Sequence, residues 1–319
     1  MNPLIARIQQ KIREAGGRIT FASFMEEVLY HPLFGYYNRD SITIGEGGDF
    51  YTAPMVHPIF GQCVARQILE IWEQMGCPTK FTVIEMGAGN GTLARDMLQE
   101  WRKDESFSEA LTYIIVEQSP VLQKQQKQQL KETKASLDWY WKLSEIPQYG
   151  KLTGVIVSNE LFDALPVHRL MMENGELVER YVTWMEDAFK EVSGPISDER
   201  FAEILDIRML EQLLEGDRLD VSLRTGEVLR EMANLLSRGC IITFDYGDEQ
   251  PDVYLKYVSK GGIRCYFHQK LQYNPFEKIG EQDITADVDF TYLMRTGEEV
   301  GLQTAGITTQ TNFWQGSDS

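Results

Sequence analysis

Apolar positions recur mostly at helical spacing through residues 1–78, while after them stretches of strand and helical spacing take turns. MNPLIARIQQKIREAGG predicts an amphipathic helix ended by Gly16-Gly17, and ITFASFMEEVLYH a second helix capped at Ser23. A glycine-rich loop, IGEGGDFYTAP, leads into a long amphipathic helix over MVHPIFGQCVARQILEIWEQMG, closed by Gly76 with Pro78 beyond. From residue 81 strands and helices alternate: FTVIEM, then TLARDMLQEWRKD, then LTYIIVE. The polar SPVLQKQQKQQLKE follows, a helix on the strength of its Val121, Leu122 and Leu130 stripe, and then the strands LDWYWKL and GVIVSNE. Near-continuous Val and Ile runs suit strands buried on both faces, so the alternation predicts an α/β, doubly wound, Rossmann-like parallel sheet.

The alternation breaks after Pro166. Asn174-Gly175 between alternating runs is a hairpin signal and predicts an antiparallel insertion at about 167–222, with a helix around ERFAEILDIRMLEQLL. The sheet pattern resumes with the helix LRTGEVLREMANLLSRG and the strand CIITFDYG. After them come a strand at GIRCYF, a helix over DVDFTYLMRTGEEVG and a strand at LQTAGITTQ. The organisation that results is a helical cap with a covering loop, 1–78, and a sheet domain, 79–319, carrying the insertion.

A hydrophobic fraction of 43% in 319 residues supports a large core. With 31 basic against 48 acidic residues the net charge is −17, which weighs against a nucleic-acid partner and suits a basic or neutral one, such as an arginine-bearing peptide. Cys63, Cys77, Cys240 and Cys265 show no CxxC and no histidine at zinc spacing, and His31, His57, His168 and His268 are unclustered, so no metal site is expected. The pattern is that of reduced thiols in a cytoplasmic protein. No run of about 18 apolar residues exists, so no membrane span is expected.

The chemistry concentrates at VIEMGAGNGTLARDML. Gly87, Gly89 and Gly91 stand at alternate positions, one residue too short for the GxGxxG of dinucleotide binders. Glu85 precedes them, and Glu117 ends the second strand 26 residues after Gly91, where a carboxylate accepts bonds from both ribose hydroxyls of an adenosine. E-x-G-x-G-x-G resembles motif I of the class I methyltransferases, whose ligand, S-adenosylmethionine, has no phosphates. An NAD-dependent oxidoreductase is the rival enzyme; the glycine spacing and the lack of a clustered His or Tyr-xxx-Lys donor argue against it.

Four further stretches, GGDFYTAP (47–54), IVEQSPVLQKQQ (115–126), SNELFDALPV (158–167) and GEQDITADVDF (280–290), surround that motif in the order found in the MidA-like methyltransferases. The chain resembles that family over roughly residues 20 to 310. Mitochondrial members of the family are arginine methyltransferases acting on a complex I subunit during assembly. The resemblance implies a class I fold with an N-terminal helical cap and an insertion after the fourth strand, S-adenosyl-L-methionine as cofactor, and a protein arginine as acceptor. Gly48, Asp49, Phe50, Thr52 and Pro54 match the family's covering loop, but Ala53, Met55 and Val56 replace its usual polar positions. Gly48 and Asp49 are placed over the cofactor, with Asp49 reaching either its amino group or a backbone amide.

In such a fold the acceptor lies beyond the fourth strand, where Asn159, Glu160 and Asp163 stand; carboxylates there would grip a guanidinium bidentately. Asn159 and Asp163 as caps of the turn before Pro166 are the alternative, and Asp245 is a weaker candidate. A methyltransferase fold kept as an assembly chaperone with weak or no catalysis is the rival of another class. Only TNFWQGSDS follows LQTAGITTQ, too short for the antiparallel strand that completes class I sheets, so the natural product is expected to continue past Ser319 or to include residues absent here.

Overall fold

In the computed structural model, residues 2–39, 42, 45, 54, 57–133, 135–147 and 151–316 are described. They fall into two units. One comprises Met1–Ile42, Phe162–Val228 and Tyr246–Thr296; the other comprises Thr43–Leu161, Leu229–Asp245 and Gly297–Ser319.

The second unit holds the five parallel strands that the alternation foretold. In chain order they are Phe81–Met86, Leu111–Val116, Ser136–Tyr140, Leu152–Asn159 and Leu236–Phe244. Across the sheet the order is fifth, fourth, first, second, third, and every pairing is parallel. The strand order reverses between the first and fourth strands, the switch point at which open α/β sheets bind ligands beyond their carboxyl ends. Val83, Tyr113, Ile115, Val155 and Val157 share one core with the helices Ile59–Gln74 and Thr92–Trp101. Those helices approach closely at Gly61, where a Cβ would stand 2.6 Å from the Cβ of Asp96. Trp101 Nε1–H closes the same seam by donating to the Ala65 carbonyl at 2.8 Å.

The first unit is built around the long strand Glu176–Met185. It pairs antiparallel with His168–Glu173 through the expected Asn174-Gly175 turn, both of whose residues take positive φ, 54° and 78°. A second two-residue turn, Glu186-Asp187, adds Ala188–Gly194, and Arg218–Val221 extends the sheet on His168–Glu173. Ile19–Thr20 also joins Glu176–Met185. The N-terminal segment therefore groups with the insertion, and the expected boundary at 78/79 coincides with neither unit's limits. Aromatic packing supplies the reason: Phe24 lies 5.3 Å from both Phe189 and Phe276.

Several local expectations are corrected. The helix Phe21–Tyr30 is capped by Thr20, whose hydroxyl accepts from the Ser23 amide, and not by Ser23. The single helix expected around ERFAEILDIRMLEQLL is two turns, Phe201–Ile204 and Ile207–Leu210, because Leu205 is extended and Asp206 caps the second. LQTAGITTQ is not a strand; its residues 302–309 are irregular and lead into the helix Gln310–Gly316.

Candidate functional site

The first parallel strand runs directly into the glycine loop. Gly87, Gly89 and Gly91 all take positive φ, 63°, 53° and 85°, conformations that side chains with a Cβ rarely adopt. The loop is tied back at both ends: the Gly87 amide donates to the Val116 carbonyl at 2.9 Å and the Gly91 amide to the Ala88 carbonyl at 2.8 Å. Asn90 Oδ1 accepts from the Thr92 amide, opening the helix Thr92–Trp101. A Cβ on Gly91 would sit 3.3 Å from Gln126 Cα, so this glycine lets the helix Pro120–Gln129 press against the loop.

Glu117 follows the second strand and is buried. One carboxylate oxygen accepts from the Ser119 amide at 2.9 Å and the other from Gln126 Nε2 at 3.1 Å. Burial pushes its carboxyl up to about 7, against the lowering effect of these bonds. Glu85, 2% exposed, accepts a 2.5 Å bond from the Tyr113 hydroxyl within the sheet. Burial raises it to about 7 as well; the Tyr113 bond opposes this and the Glu117 charge adds to it.

At the end of the fourth strand Asn159 pairs in register with Phe244, and the Glu160 amide donates to the Phe244 carbonyl at 2.8 Å. Glu160 has φ 50°, left-handed for a residue with a long side chain. Asp245 follows Phe244 at the end of the fifth strand. Asp163 belongs to the other unit, where it is buried and its carbonyl accepts from the Ala286 amide. In that unit the Tyr37 hydroxyl donates to Asp283 at 2.7 Å, and burial, Asp283 and, more weakly, Asp163 hold its pKa high. Gly48 and Asp49 lie outside the described residues. His57 Nδ1 accepts from the Ile59 amide, a helix-start role. Among the described residues no group of His, Cys, Asp and Glu is arranged to hold a metal ion.

Several residues of this site escaped the sequence reading: Gln126, Gln123, Tyr113 and Trp139. Gln123 and Gln126 continue the buried stripe of Leu122 and Leu130 in a stretch otherwise polar, which is the one signal that could have found them. The arrangement fits an adenosine. A loop of bare backbone stands beside a carboxylate that, with about four lone-pair sites, keeps acceptor capacity after its protein bonds for a ribose diol.

Residues 63–308 match the family described as "Putative S-adenosyl-L-methionine-dependent methyltransferase". Over 335 residues the chain is 31% identical to "Protein arginine methyltransferase NDUFAF7 homolog, mitochondrial" of Drosophila melanogaster, covering 93% of this chain and 70% of that protein. It is 27% identical over 328 residues to "Protein arginine methyltransferase NDUFAF7, mitochondrial" of Homo sapiens, covering 93% and 69%. The crystal structure of a Burkholderia thailandensis protein bound to S-adenosyl-homocysteine superposes with a TM-score of 0.87 at 29% identity, over 99% of this chain and 80% of that one.

Proposed function

The chain belongs to the S-adenosyl-L-methionine-dependent methyltransferase family matched over residues 63–308, and from that premise we propose that it methylates an arginine of a protein substrate. The observation that carries the acceptor assignment is Glu160. A non-glycine residue held at φ 50° costs on the order of 1 kcal/mol or more, and such strain concentrates where function requires a side chain to be presented. Here it falls on a carboxylate at the end of the fourth strand, tied through its amide to Phe244. The relatives named as protein arginine methyltransferases and the net charge of −17 support the same acceptor.

The cofactor, when bound, would supply an electrophilic methyl group on a sulfonium: the N–C bond forms as the S–C bond breaks, the thioether leaves as S-adenosyl-homocysteine, and the methylated nitrogen gives up one proton to solvent, so the guanidinium keeps its single charge. The chain's part is positioning. The backbone of Gly87–Gly91 and the Glu117 carboxylate would hold the adenosyl end, while Asn159 and Glu160 would fix the plane of the guanidinium with one nitrogen toward the methyl group. Arginine stays protonated and planar, which a carboxylate matches with paired charge-assisted bonds.

The test is transfer of labelled methyl to lysate proteins from cells lacking this gene, with hydrolysis to identify the modified residue. Label in methylarginine is expected. Glu160→Gln keeps the shape and loses the charge; removing bonds worth about 1.5–3 kcal/mol should slow transfer roughly ten- to hundredfold at unchanged S-adenosyl-homocysteine affinity. Label on lysine or on a small molecule would refute the arginine assignment, and tight cofactor binding with no label would favour a chaperone. Asp163→Asn is the companion variant. A fall in rate at unchanged melting temperature would give it a part in acceptor binding, and a fall in stability alone would confine it to its own unit's tyrosine–carboxylate cluster.

A further inference from the structure

We infer that Gln126 is the positioning residue of the adenosine end of the site: its side-chain amide fastens the glycine loop to Glu117 and sets how that carboxylate meets the ribose hydroxyls. The inference rests on the reading of Glu117 as the ribose acid.

Gln126 is 0% exposed, on a helix whose neighbouring Lys124, Lys127, Gln128 and Gln129 are exposed. All three of its polar positions are used. Trp139 Nε1–H reaches Gln126 Oε1 at 3.1 Å. An indole N–H can only donate, so the amide oxygen must face Trp139 and the NH2 must face the other way. Its two hydrogens then go to the Gly89 carbonyl at 2.9 Å and to Glu117 Oε2 at 3.1 Å. The third strand, through Trp139, thus decides the orientation of an amide that joins the middle of the glycine loop to the acid.

Two neighbours stiffen the arrangement. Gln123 Nε2 donates to the Glu117 backbone carbonyl at 2.8 Å, and Ser119, cap of the helix Pro120–Gln129, holds the other carboxylate oxygen through its amide. A methionine at 126 would fill the same volume but leave the Trp139 N–H and the Gly89 carbonyl without their partner. Packing alone therefore does not call for glutamine here. The bond from Gln126 also favours the ionised form of Glu117, which burial disfavours. Ribose hydroxyls donate to that ionised form, so the amide and the ligand act on the carboxylate in the same sense.

The experiment is calorimetric titration of the full chain with S-adenosyl-homocysteine and with its 2′-deoxyribose analogue across pH 5.5–8.5, for the parent, Gln126→Met, Trp139→Phe and Glu117→Gln. Gln126→Met should lower affinity for S-adenosyl-homocysteine by about tenfold and for the deoxy analogue by less, shrinking the parent's preference for the full ribose. The pH midpoint of binding should move upward, because Glu117 loses a bond that favours its charge. Equal losses on both ligands with an unmoved pH midpoint would mean a merely structural glutamine and overturn the inference, as would unchanged affinity. Should Gln126→Met fail to fold, Trp139→Phe removes only the group that orients the amide. It should shrink the preference in the same direction, and an unchanged preference would overturn the inference. Glu117→Gln separates the two claims. If it keeps the parent's preference for the full ribose, the reading of Glu117 fails and the inference with it. If it loses that preference while Gln126→Met retains it, the inference alone falls.

Discussion

Glu85 shows how one buried carboxyl ties stability to pH. Its folded pKa of about 7 lies above the ordinary 4.5, with burial as the main cause. A group raised in the folded state contributes stability that is complete below its unfolded pKa and is lost as pH rises through the folded one. For Glu85 the window is about pH 4.5 to 7, and the loss is roughly 3 kcal/mol at 1.36 kcal/mol per unit. Glu85→Gln removes the titration and keeps an oxygen for the Tyr113 hydroxyl. Urea unfolding of the ligand-free variant should therefore match the parent near pH 4 and exceed it by about 3 kcal/mol at pH 8. Equal stabilities at pH 8 would mean that the carboxyl ionises at its ordinary pKa and that Glu85 is less desolvated than its burial implies. Glu85 and Glu117 were both legible as acids at strand ends. Their partners were not, since Tyr113 stands 28 residues from Glu85 and was simply one more apolar position of a strand.

Among elements, the close seam between Ile59–Gln74 and Thr92–Trp101 is the most sharply testable. With a Cβ at Gly61 placed 2.6 Å from that of Asp96, neither backbone can yield without moving its helix. Gly61→Ala gains helix propensity yet overpacks the crossing, so a net cost of about 1–3 kcal/mol is expected. A lower urea midpoint at an unchanged slope is the signature to look for, and a midpoint at or above the parent's would show that the helices can part cheaply. Both helices were plain in the sequence from their apolar stripes. So was the Asn174-Gly175 hairpin, because both turn residues had to accept left-handed backbone. Glu186-Asp187 performs the same turn with positive φ at both residues, 52° and 59°, but without a glycine it is a far weaker hairpin signal than Asn-Gly, although Asp187 is a type that tolerates left-handed backbone. The break at Leu205-Asp206 is hidden in the sequence because the apolar spacing runs on across it undisturbed, even though Asp206 is a residue type that caps helices.

On the scale of the whole molecule, the ligand assignment predicts a thermal response. The glycine loop, Glu117 and the fourth-strand end all lie in the parallel-sheet unit, so a ligand held there should stabilise it. At a hundredfold excess over its dissociation constant the gain is about 2.7 kcal/mol. S-adenosyl-homocysteine should accordingly raise the melting temperature by several degrees while NAD at the same concentration leaves it unmoved. A shift with NAD and none with S-adenosyl-homocysteine would contradict the family's cofactor.

The sequence by itself determined the parallel strands in chain order, the glycine loop and the placing of Glu117. Each depends on periodicity or spacing within a few tens of residues, and a buried parallel strand or a positive-φ turn admits few residue types. Tertiary structure alone decided which distant segments share a unit and which side chains complete the site. Ile19–Thr20 pairs with Val182 and Tyr181, and Tyr37 bonds Asp283 across 246 positions of chain. Gln126 takes its meaning from Gly89, Glu117 and Trp139, 37, 9 and 13 residues away. A hydrogen bond constrains only the two groups that make it and leaves no mark on the residues between them, so such pairings become visible only when the sheet has brought the strands together.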